Sequence, residues 1–241
     1  MLGISSLLFS LILSIVLISL NALKNYSNFE KFKLNVGKVN SGEYYRLLSS
    51  GFLHGDLQHL LFNCFTLFIF GDTVIIRLGE INFVLLYFSC LVFSGWISVY
   101  FNKNNSYYSA VGASGAVIGV VYSSILLYPG MKLAFLFFPI PMPAYLFAIG
   151  YLLYSLYGVK KLNDGIGHEA HVGGALSGLV ITSLFKPNVV IDSFYLLVVM
   201  IAITTIGFLS IKKINYLISH RFLRPTALHE DFFQLYVLVY R

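Results

Sequence analysis

The sequence predicts an all-α protein that crosses a lipid bilayer several times, and its composition is the first reason. Of its 241 residues, 58% are hydrophobic and only 11% are charged, and the mean hydropathy is +0.80. A soluble domain carries about 25% charged residues, so this chain has too few polar side chains to cover a surface in water. Apolar runs of about 20 residues, the length that crosses a bilayer as a helix, recur along the chain. These observations exclude a water-soluble globule and a disordered chain.

The charged residues lie between the apolar runs and form no basic face. The formal net charge is +6, but lysines and arginines scattered in this way are typical of membrane–water boundaries. We therefore expect a lipid bilayer, and no nucleic acid, as a partner. The two cysteines, Cys64 and Cys90, lie inside apolar runs and are expected to be small buried side chains without a disulfide.

The apolar runs predict seven membrane-spanning helices. The first covers about 2–20, and it is too long for a signal peptide and has no basic leader. The fifth contains three prolines, which predict a kinked or late-starting helix. The other spans begin and end at about 59–78, 81–101, 112–128, 133–157 (the fifth), 168–185 and 194–211.

The spans and the segments between them predict one membrane domain. We expect it to cover 1–211, with a core at about 42–186, followed by a basic, partly apolar tail at 212–241. The long polar segment 21–58 contains many aromatic and leucine side chains. This mixture is typical of a loop that lies at the membrane interface.

Four of the polar residues inside the predicted spans stand out: His59, Asn63, Ser114 and His171. Such groups are costly in a membrane and need a reason to be there. Spans two, four and six run in the same direction, because each pair is separated by one return of the chain. All four residues lie near the beginnings of these spans, so we expect them at one depth below one membrane face.

These residue types suit nucleophilic catalysis. Ser114 needs a base to remove its proton, and His171 is the natural base because its ring titrates near neutral pH. Ser114 begins a predicted helix, where backbone N–H groups lack partners and favour negative charge. His59 and Asn63 can add side-chain donors to the same oxyanion.

Glycines surround the serine and the histidine and predict close helix packing. Glycines spaced four apart let two membrane helices approach closely, although such a spacing alone usually indicates packing only. The approach of spans four and six would bring Ser114 near His171. The glycines are Gly112, Gly115 and Gly119 around the serine, and Gly174 and Gly178 after the histidine.

The segment His168-Glu169-Ala170-His171 raises the alternative of a zinc site. A zinc protease motif needs histidines four residues apart on one helix face, whereas these are three apart and Val172 occupies the required position. We therefore expect no metal and no cofactor. His168 and Glu169 are expected at the mouth of the sixth helix, exposed to interfacial water.

Over roughly 42–184 the chain resembles the rhomboid intramembrane serine proteases. Three motifs in order carry the resemblance: His59-Leu60-Leu61-Phe62-Asn63, Gly112-Ala113-Ser114-Gly115 and Ala170-His171-Val172-Gly173-Gly174. Upstream, Glu43-Tyr44-Tyr45-Arg46 and Phe52-Leu53-His54 resemble the family's loop-one signature, with Tyr45 in place of the usual tryptophan.

The resemblance implies a fold, a site and an activity. It implies a six-helix bundle around a water-filled cavity, with the seventh span as an addition, and a Ser–His dyad without a third acid. The implied substrates are single-pass or other transmembrane proteins, cleaved near the membrane surface. Segment 159–167 would cap the cavity, and the fifth helix would be its lateral gate. The implied roles are nucleophile for Ser114, base for His171, oxyanion donors for His59 and Asn63, and structural support for Gly112, Gly115, Gly174, Glu43 and Arg46.

One departure from the family pattern concerns the environment of the base. Members commonly carry an aromatic residue four positions after the serine, which stacks on the histidine. This sequence has Ile118 there, so aliphatic packing beside His171 is expected.

The resemblance and the charge distribution predict opposite orientations. The family orientation, which we retain, places the active site on the outside of the cell membrane. The positive-inside rule favours the reverse, because eight basic residues lie on the active-site side and three on the other. The eight are Lys24, Lys31, Lys33, Lys38, Arg46, Lys103, Lys160 and Lys161, and the three are Arg77, Lys132 and Lys186.

Two other functions remain open. One is a non-catalytic rhomboid-like protein that binds membrane helices, although such relatives typically lack the serine or the histidine. The other is a transporter, which would predict two repeated halves with broken helices. No internal repeat is evident in the sequence.

Overall fold

The computed structural model describes residues 4–135, 138–161 and 165–207, and it is a largely helical, multi-span membrane fold. Short strands occur in two pairs, β1 (Leu34–Asn35) with β2 (Ser109–Ala110), and β3 (Lys132–Phe135) with β4 (Phe138–Pro143). The α-helices in these ranges are α1 (Ser6–Lys24), α2 (Tyr26–Phe32), α3 (Val36–Asn40), α4 (Arg46–Ser49), α5 (Leu57–Leu78), α6 (Glu80–Phe101), α7 (Ser114–Leu127), α8 (Ala144–Lys161), α9 (His168–Phe185), α10 (Asn188–Asp192) and α11 (Phe194–Gly207), and a short 3-10 helix covers Ser50–Phe52.

Within the described residues, three helices are long and apolar enough to cross a membrane by length and composition, namely α1, α5 and α6. The apolar helices α7, α8 and α11 are shorter. Helix α1 is displaced from the predicted 2–20, because the Ser5 hydroxyl accepts the Leu8 N–H at 3.2 Å and caps the helix there. The end of the predicted seventh span, 208–211, lies outside the described residues.

The predicted fifth span, 133–157, was wrong in nearly its first half. The segments Lys132–Phe135 and Phe138–Pro143 form an antiparallel pair of strands, and the helix begins only at Ala144. Prolines at 139, 141 and 143 lack the N–H that a helix interior requires, so the helix does not begin until after the last of them. Of the two outcomes that the prolines predicted, a kink or a late start, the structure shows the late start.

The short helix α7 lies at the centre of the bundle. Every residue from Gly115 to Leu127 is buried, and α5, α6 and α9 pack around the helix. A helix surrounded in this way needs small residues wherever a neighbour comes close. The Ser123 hydroxyl donates to the Gly119 carbonyl and accepts a 2.7 Å hydrogen bond from Thr182 on α9.

Loop one, defined here as residues 25–56 between α1 and α5, is folded onto the bundle. The pairing of Leu34 with Ala110 and of Asn35 with Ser109 joins it to the segment that precedes α7. A small apolar cluster supports this junction and consists of Leu34, Val36, Val39, Leu47 and Val99. Loop one therefore contributes to the position of the chain that leads into Ser114.

The chain divides into one compact unit over Met1–Ile203 and a second over Thr204–Arg241. Only 204–207 of the second unit lie among the described residues, and these four are helical. The boundary at 211 and the tail at 212–241 stay predictions, since both lie outside the described residues.

Candidate active site

A tight turn places Ser114 at the first position of α7. Gly112 has φ +126°, a conformation that side chains rarely adopt, and its N–H donates to the Ser50 carbonyl at 3.0 Å. In this described segment no side chain caps α7. The first N–H groups of α7 therefore have no partner within the helix and no side-chain cap, so they favour negative charge at the start of the helix.

His171 lies in the first turn of α9 and contacts the serine. Its Nε2 lies 2.9 Å from Ser114 Oγ, and both residues line a cavity of about 1230 Å³. His171 is only 7% exposed. The histidine and the serine, 57 positions apart, thus form a hydrogen-bonded pair.

Contact between the backbones of α7 and α9 makes this distance possible. A methyl group at Gly174 would lie 2.0 Å from the carbonyl oxygen of Gly115, and one at Gly178 would lie 2.3 Å from that of Gly119. Gly115 also faces α6, where a methyl group would lie 2.2 Å from Ser94 Oγ. No larger residue fits at these positions without moving a helix, so the glycines set the separation of serine and histidine.

His59 and Asn63 both line the same cavity from α5. The His59 ring packs on the turn that precedes α7, since a methyl group at Gly112 would lie 2.6 Å from its Cε1. Asn63 donates one amide hydrogen to the His59 carbonyl at 3.0 Å. Because an amide nitrogen carries two hydrogens, one remains for another acceptor.

A third histidine, His54, contacts the turn that precedes α7. It is fully buried, and its Nε2 lies 3.4 Å from the N–H of Ala113, the residue before the serine. Its Nδ1 lies 2.8 Å from Ser19 Oγ, whose hydrogen is donated to the Phe52 carbonyl. Ser19 must therefore accept from Nδ1, which leaves Nε2 as the acceptor for Ala113. The sequence indicated His54 only as part of a loop-one signature.

Tyr151 on α8 was missed by the sequence analysis. Its hydroxyl lies 2.9 Å from His171 Nδ1, and the two rings lie 5.8 Å apart at 34°. Ile118 lines the same cavity, but the aromatic ring beside the histidine comes from another helix. A tyrosine among many aromatic residues in α8 gives no signal in the sequence that could single it out.

The expectation that His168 and Glu169 are exposed was wrong. They are 1% and 7% exposed, respectively. The Glu169 carboxylate accepts hydrogen bonds from the Tyr108 hydroxyl and from Asn102 Nδ2, the latter at 3.1 Å. Burial and the neighbouring carboxylate raise the pKa of Tyr108, which keeps its hydroxyl a donor. The segment after α6 folds over the start of α9 and removes it from water.

Glu43 and Arg46 stabilise the folded form of loop one through hydrogen bonds. Arg46 is buried, its Nε donates to Glu43 at 2.7 Å, and a terminal nitrogen donates to the carbonyls of Glu30 and Lys33. Hydrogen bonds from Arg46 and Tyr45 hold the pKa of Glu43 below its ordinary value. These contacts tie the end of α2 to α4.

No three histidine, cysteine, aspartate or glutamate side chains in the described residues come together as a metal site. Cys90 is buried and Cys64 is half-buried, and neither is in a disulfide. Of the expected cap at 159–167, residues 162–164 lie outside the described part of the chain.

Fold and site together define a multi-span membrane protein with a serine–histidine pair in a cavity below one end of the bundle. A sequence model of the Rhomboid domain matches residues 41–188, which is more than half of the chain. The chain therefore belongs to the rhomboid family.

Named relatives share about a quarter to a third of their residues with the chain. Rhomboid protease AarA of Providencia stuartii is 27% identical over 175 residues, which cover 65% of this chain and 61% of AarA. Rhomboid protein 1, mitochondrial, of Saccharomyces cerevisiae is 27% identical over 137 residues, covering 56% and 40%. The human Presenilin-associated rhomboid-like protein, mitochondrial, is 31% identical over 140 residues, covering 55% and 36%. The chain thus matches between 36% and 61% of the length of these relatives.

Proposed function

We propose that this chain is an intramembrane serine endopeptidase that hydrolyses peptide bonds in or near the membrane-spanning segments of other proteins. The observation that carries the proposal is the 2.9 Å contact between His171 Nε2 and Ser114 Oγ inside a cavity of the bundle. Kinship with Rhomboid protease AarA supports the same activity.

In the proposed mechanism, Ser114 attacks the scissile carbonyl while His171 accepts its proton. The tetrahedral intermediate collapses to an acyl-enzyme, and His171 gives the proton to the leaving amine. A water molecule then repeats the sequence, with His171 as base, and releases the second product. Ser114, His171 and water supply every group that these steps need, so no step requires a metal or a cofactor.

The oxyanion is proposed to lie between the start of α7 and α5. The Ser114 N–H, the free amide hydrogen of Asn63 and the His59 ring are the donors available at this place. Each well-placed donor contributes about 3–4 kcal/mol to such a transition state in comparable enzymes. Gly112 leaves the space in which the His59 ring lies.

The proposed substrates are single-pass or other transmembrane proteins. Their backbone amides are hydrogen-bonded inside a helix, so a substrate must unwind locally to present a carbonyl to Ser114. Helix α8 is the proposed lateral gate of the cavity, and the cap that the family resemblance implies at 159–167 stays a prediction because 162–164 lie outside the described residues. The bilayer delivers the substrate, and water enters from the face at which α5, α7 and α9 begin.

Cleavage by purified protein tests the proposal. Wild type reconstituted in liposomes with single-pass substrates is expected to cleave, while Ser114→Ala and His171→Asn are expected to give no product above background. Ser98→Ala is the matched control, because Ser98 lines the same cavity and its buried hydroxyl has no hydrogen-bond partner among the described residues. Cleavage should persist in this control.

Two results would contradict the proposal. One is cleavage by purified Ser114→Ala at the wild-type rate. The other is a wild type that binds membrane helices but neither cleaves them nor reacts with a fluorophosphonate, which would support the non-catalytic alternative.

A further inference from the structure

The histidine of the Ser114–His171 pair has a second partner on a third helix. Tyr151 Oη lies 2.9 Å from His171 Nδ1, and His171 Nε2 lies 2.9 Å from Ser114 Oγ. A continuous line of hydrogen bonds therefore runs from α8 through α9 to α7.

We propose that the Tyr151 hydroxyl is a positioning residue that holds the hydrogen of the neutral His171 ring on Nδ1. The inference rests on the proposed function, because it concerns the base of the same reaction. A neutral imidazole carries one hydrogen, so a ring that donates from Nδ1 to Tyr151 presents the lone pair of Nε2 to Ser114. The other tautomer presents an N–H to the serine and cannot accept its proton.

The same contact favours the charged form of the ring during the reaction. When the proton of Ser114 reaches Nε2, both ring nitrogens carry hydrogens. The bond from Nδ1 to Tyr151 Oη then becomes charge-assisted, and such hydrogen bonds are about twice as strong as neutral ones. Tyr151 thus contributes more in the transition state than before the reaction.

The neighbours of Tyr151 hold its hydroxyl in place. Tyr122 on α7 donates a 2.6 Å hydrogen bond to the Ala148 carbonyl, one turn before Tyr151, and so fixes α8 to the central helix. The Tyr151 ring stacks on Phe147 with centroids 5.5 Å apart. A phenol already fixed by packing loses little conformational freedom when it binds the histidine.

Tyr151→Phe removes the hydroxyl and keeps the ring, so it isolates the hydrogen bond. In the proteolysis assay we expect kcat to fall about tenfold and KM to stay within about twofold, the pattern of an interaction made mainly in the transition state. The rate of Ser114 labelling by a fluorophosphonate should fall by a similar factor, while the final labelled fraction stays that of wild type. Tyr157→Phe is the matched control, since this tyrosine on the same helix is 56% exposed.

Nitrogen-15 NMR of histidine-labelled protein in micelles reads the tautomer directly, with His171→Asn identifying the signal. We expect a wild-type His171 ring protonated on Nδ1, and a mixture of tautomers or the Nε2-protonated form in Tyr151→Phe. If Tyr151 only supported the fold, its hydroxyl would not decide which ring nitrogen of His171 carries the hydrogen, and the nitrogen-15 signal of His171 would be the same in Tyr151→Phe.

The outcomes separate this inference from the proposed function. A wild-type ring protonated on Nε2, or a tautomer and labelling rate unchanged in Tyr151→Phe, would overturn the role of Tyr151 while catalysis stands. A wild type that does not cleave and whose Ser114 is not labelled at all would overturn the proposed function, and with it this inference.

Discussion

His54 shows how a single buried side chain sets the geometry of a neighbouring turn. It contacts the Ala113 N–H through Nε2 and Ser19 through Nδ1, and it needs to be neutral to do both. Its ring also lies 4.9 Å from that of His59. A proton on Nε2 would place a donor against the Ala113 N–H, directly before Ser114.

Stability is therefore expected to fall on acidification, with His54 as one cause. Burial and the neighbouring His59 lower the pKa of His54 to about 3, against a small opposing effect of Asp56. Because the folded pKa lies below the unfolded value of about 6.5, the contribution is complete above about pH 6.5. It falls by up to about 1.4 kcal/mol per pH unit between there and pH 3.

Thermal unfolding in detergent at pH 7 and pH 5 measures this effect. The melting temperature of wild type should fall more between the two pH values than that of His54→Gln, which has no titrating ring. Equal decreases in both proteins would show that His54 does not contribute to the acid sensitivity.

At the scale of helices, the contact between α7 and α9 decides whether the serine and the histidine meet. A methyl group at Gly174 would lie 2.0 Å from the Gly115 carbonyl oxygen, which is far inside ordinary contact. The two helices would have to separate by roughly 1 Å to accommodate it.

Gly174→Ala is expected to lower both stability and activity. Overpacking of this kind costs about 1–3 kcal/mol, and a longer distance between Ser114 and His171 should reduce cleavage by at least about tenfold. Unfolding in detergent and the liposome assay measure the two effects.

Gly150→Ala on α8 is the control for this substitution. A methyl group there meets nothing within 4 Å, and alanine stabilises a helix interior by about 0.5–1 kcal/mol relative to glycine. The control should keep activity and gain a little stability. Equal losses in both variants would contradict the importance of the α7–α9 contact.

For the whole molecule, the family resemblance and the positive-inside rule predict opposite orientations in the membrane. The packing of α1 shows at which end of the bundle the first helix begins. The Ser5 N–H donates to Asp72 in the later half of α5 at 3.2 Å, so α1 begins at the end of the bundle opposite Ser114 and His171. Arg46 and Lys33 lie in the folded loop one. Charges fixed in a folded interfacial segment weaken a rule that describes simple loops.

We expect the active site to face the outside of the cell membrane, and paired cysteine substitutions can test this. In a background without Cys64 and Cys90, Lys103→Cys lies on the active-site side and Gly130→Cys on the opposite side, both at exposed positions. An impermeant maleimide added to intact cells should label residue 103 and not residue 130. Labelling of residue 130 and not of residue 103 would support the orientation that the positive-inside rule predicts.

Much of the site was predictable from the order of residues along the chain. The spacing of apolar runs predicts which helices are parallel, and so places His59, Asn63, Ser114 and His171 near one membrane face. The glycines at positions four apart predict which helices come close. The first inference depends on the spacing of apolar residues, and the second depends on glycines, which have no side chain to hold two helices apart. Both are properties of the local sequence.

Other features of the site depended on contacts that no local pattern encodes. The hydroxyl of Tyr151 meets His171 where α8 packs beside α9, and the bond from Tyr122 to the Ala148 carbonyl fixes α8 to α7. The burial of Glu169 requires Tyr108 and Asn102, more than 60 positions away, to fold over it. These contacts join residues of different helices and loops, so side-chain packing in three dimensions decides them.

The sequence by itself therefore determined the class of protein, the family and the identity of the serine–histidine pair. Only the tertiary structure decided what surrounds the pair: the 2.9 Å separation, the tyrosine behind the histidine and the neutral His54 beneath the turn. The physical reason is that apolar periodicity specifies which segments enter the membrane, whereas hydrogen bonds between helices depend on their depth and rotation relative to one another.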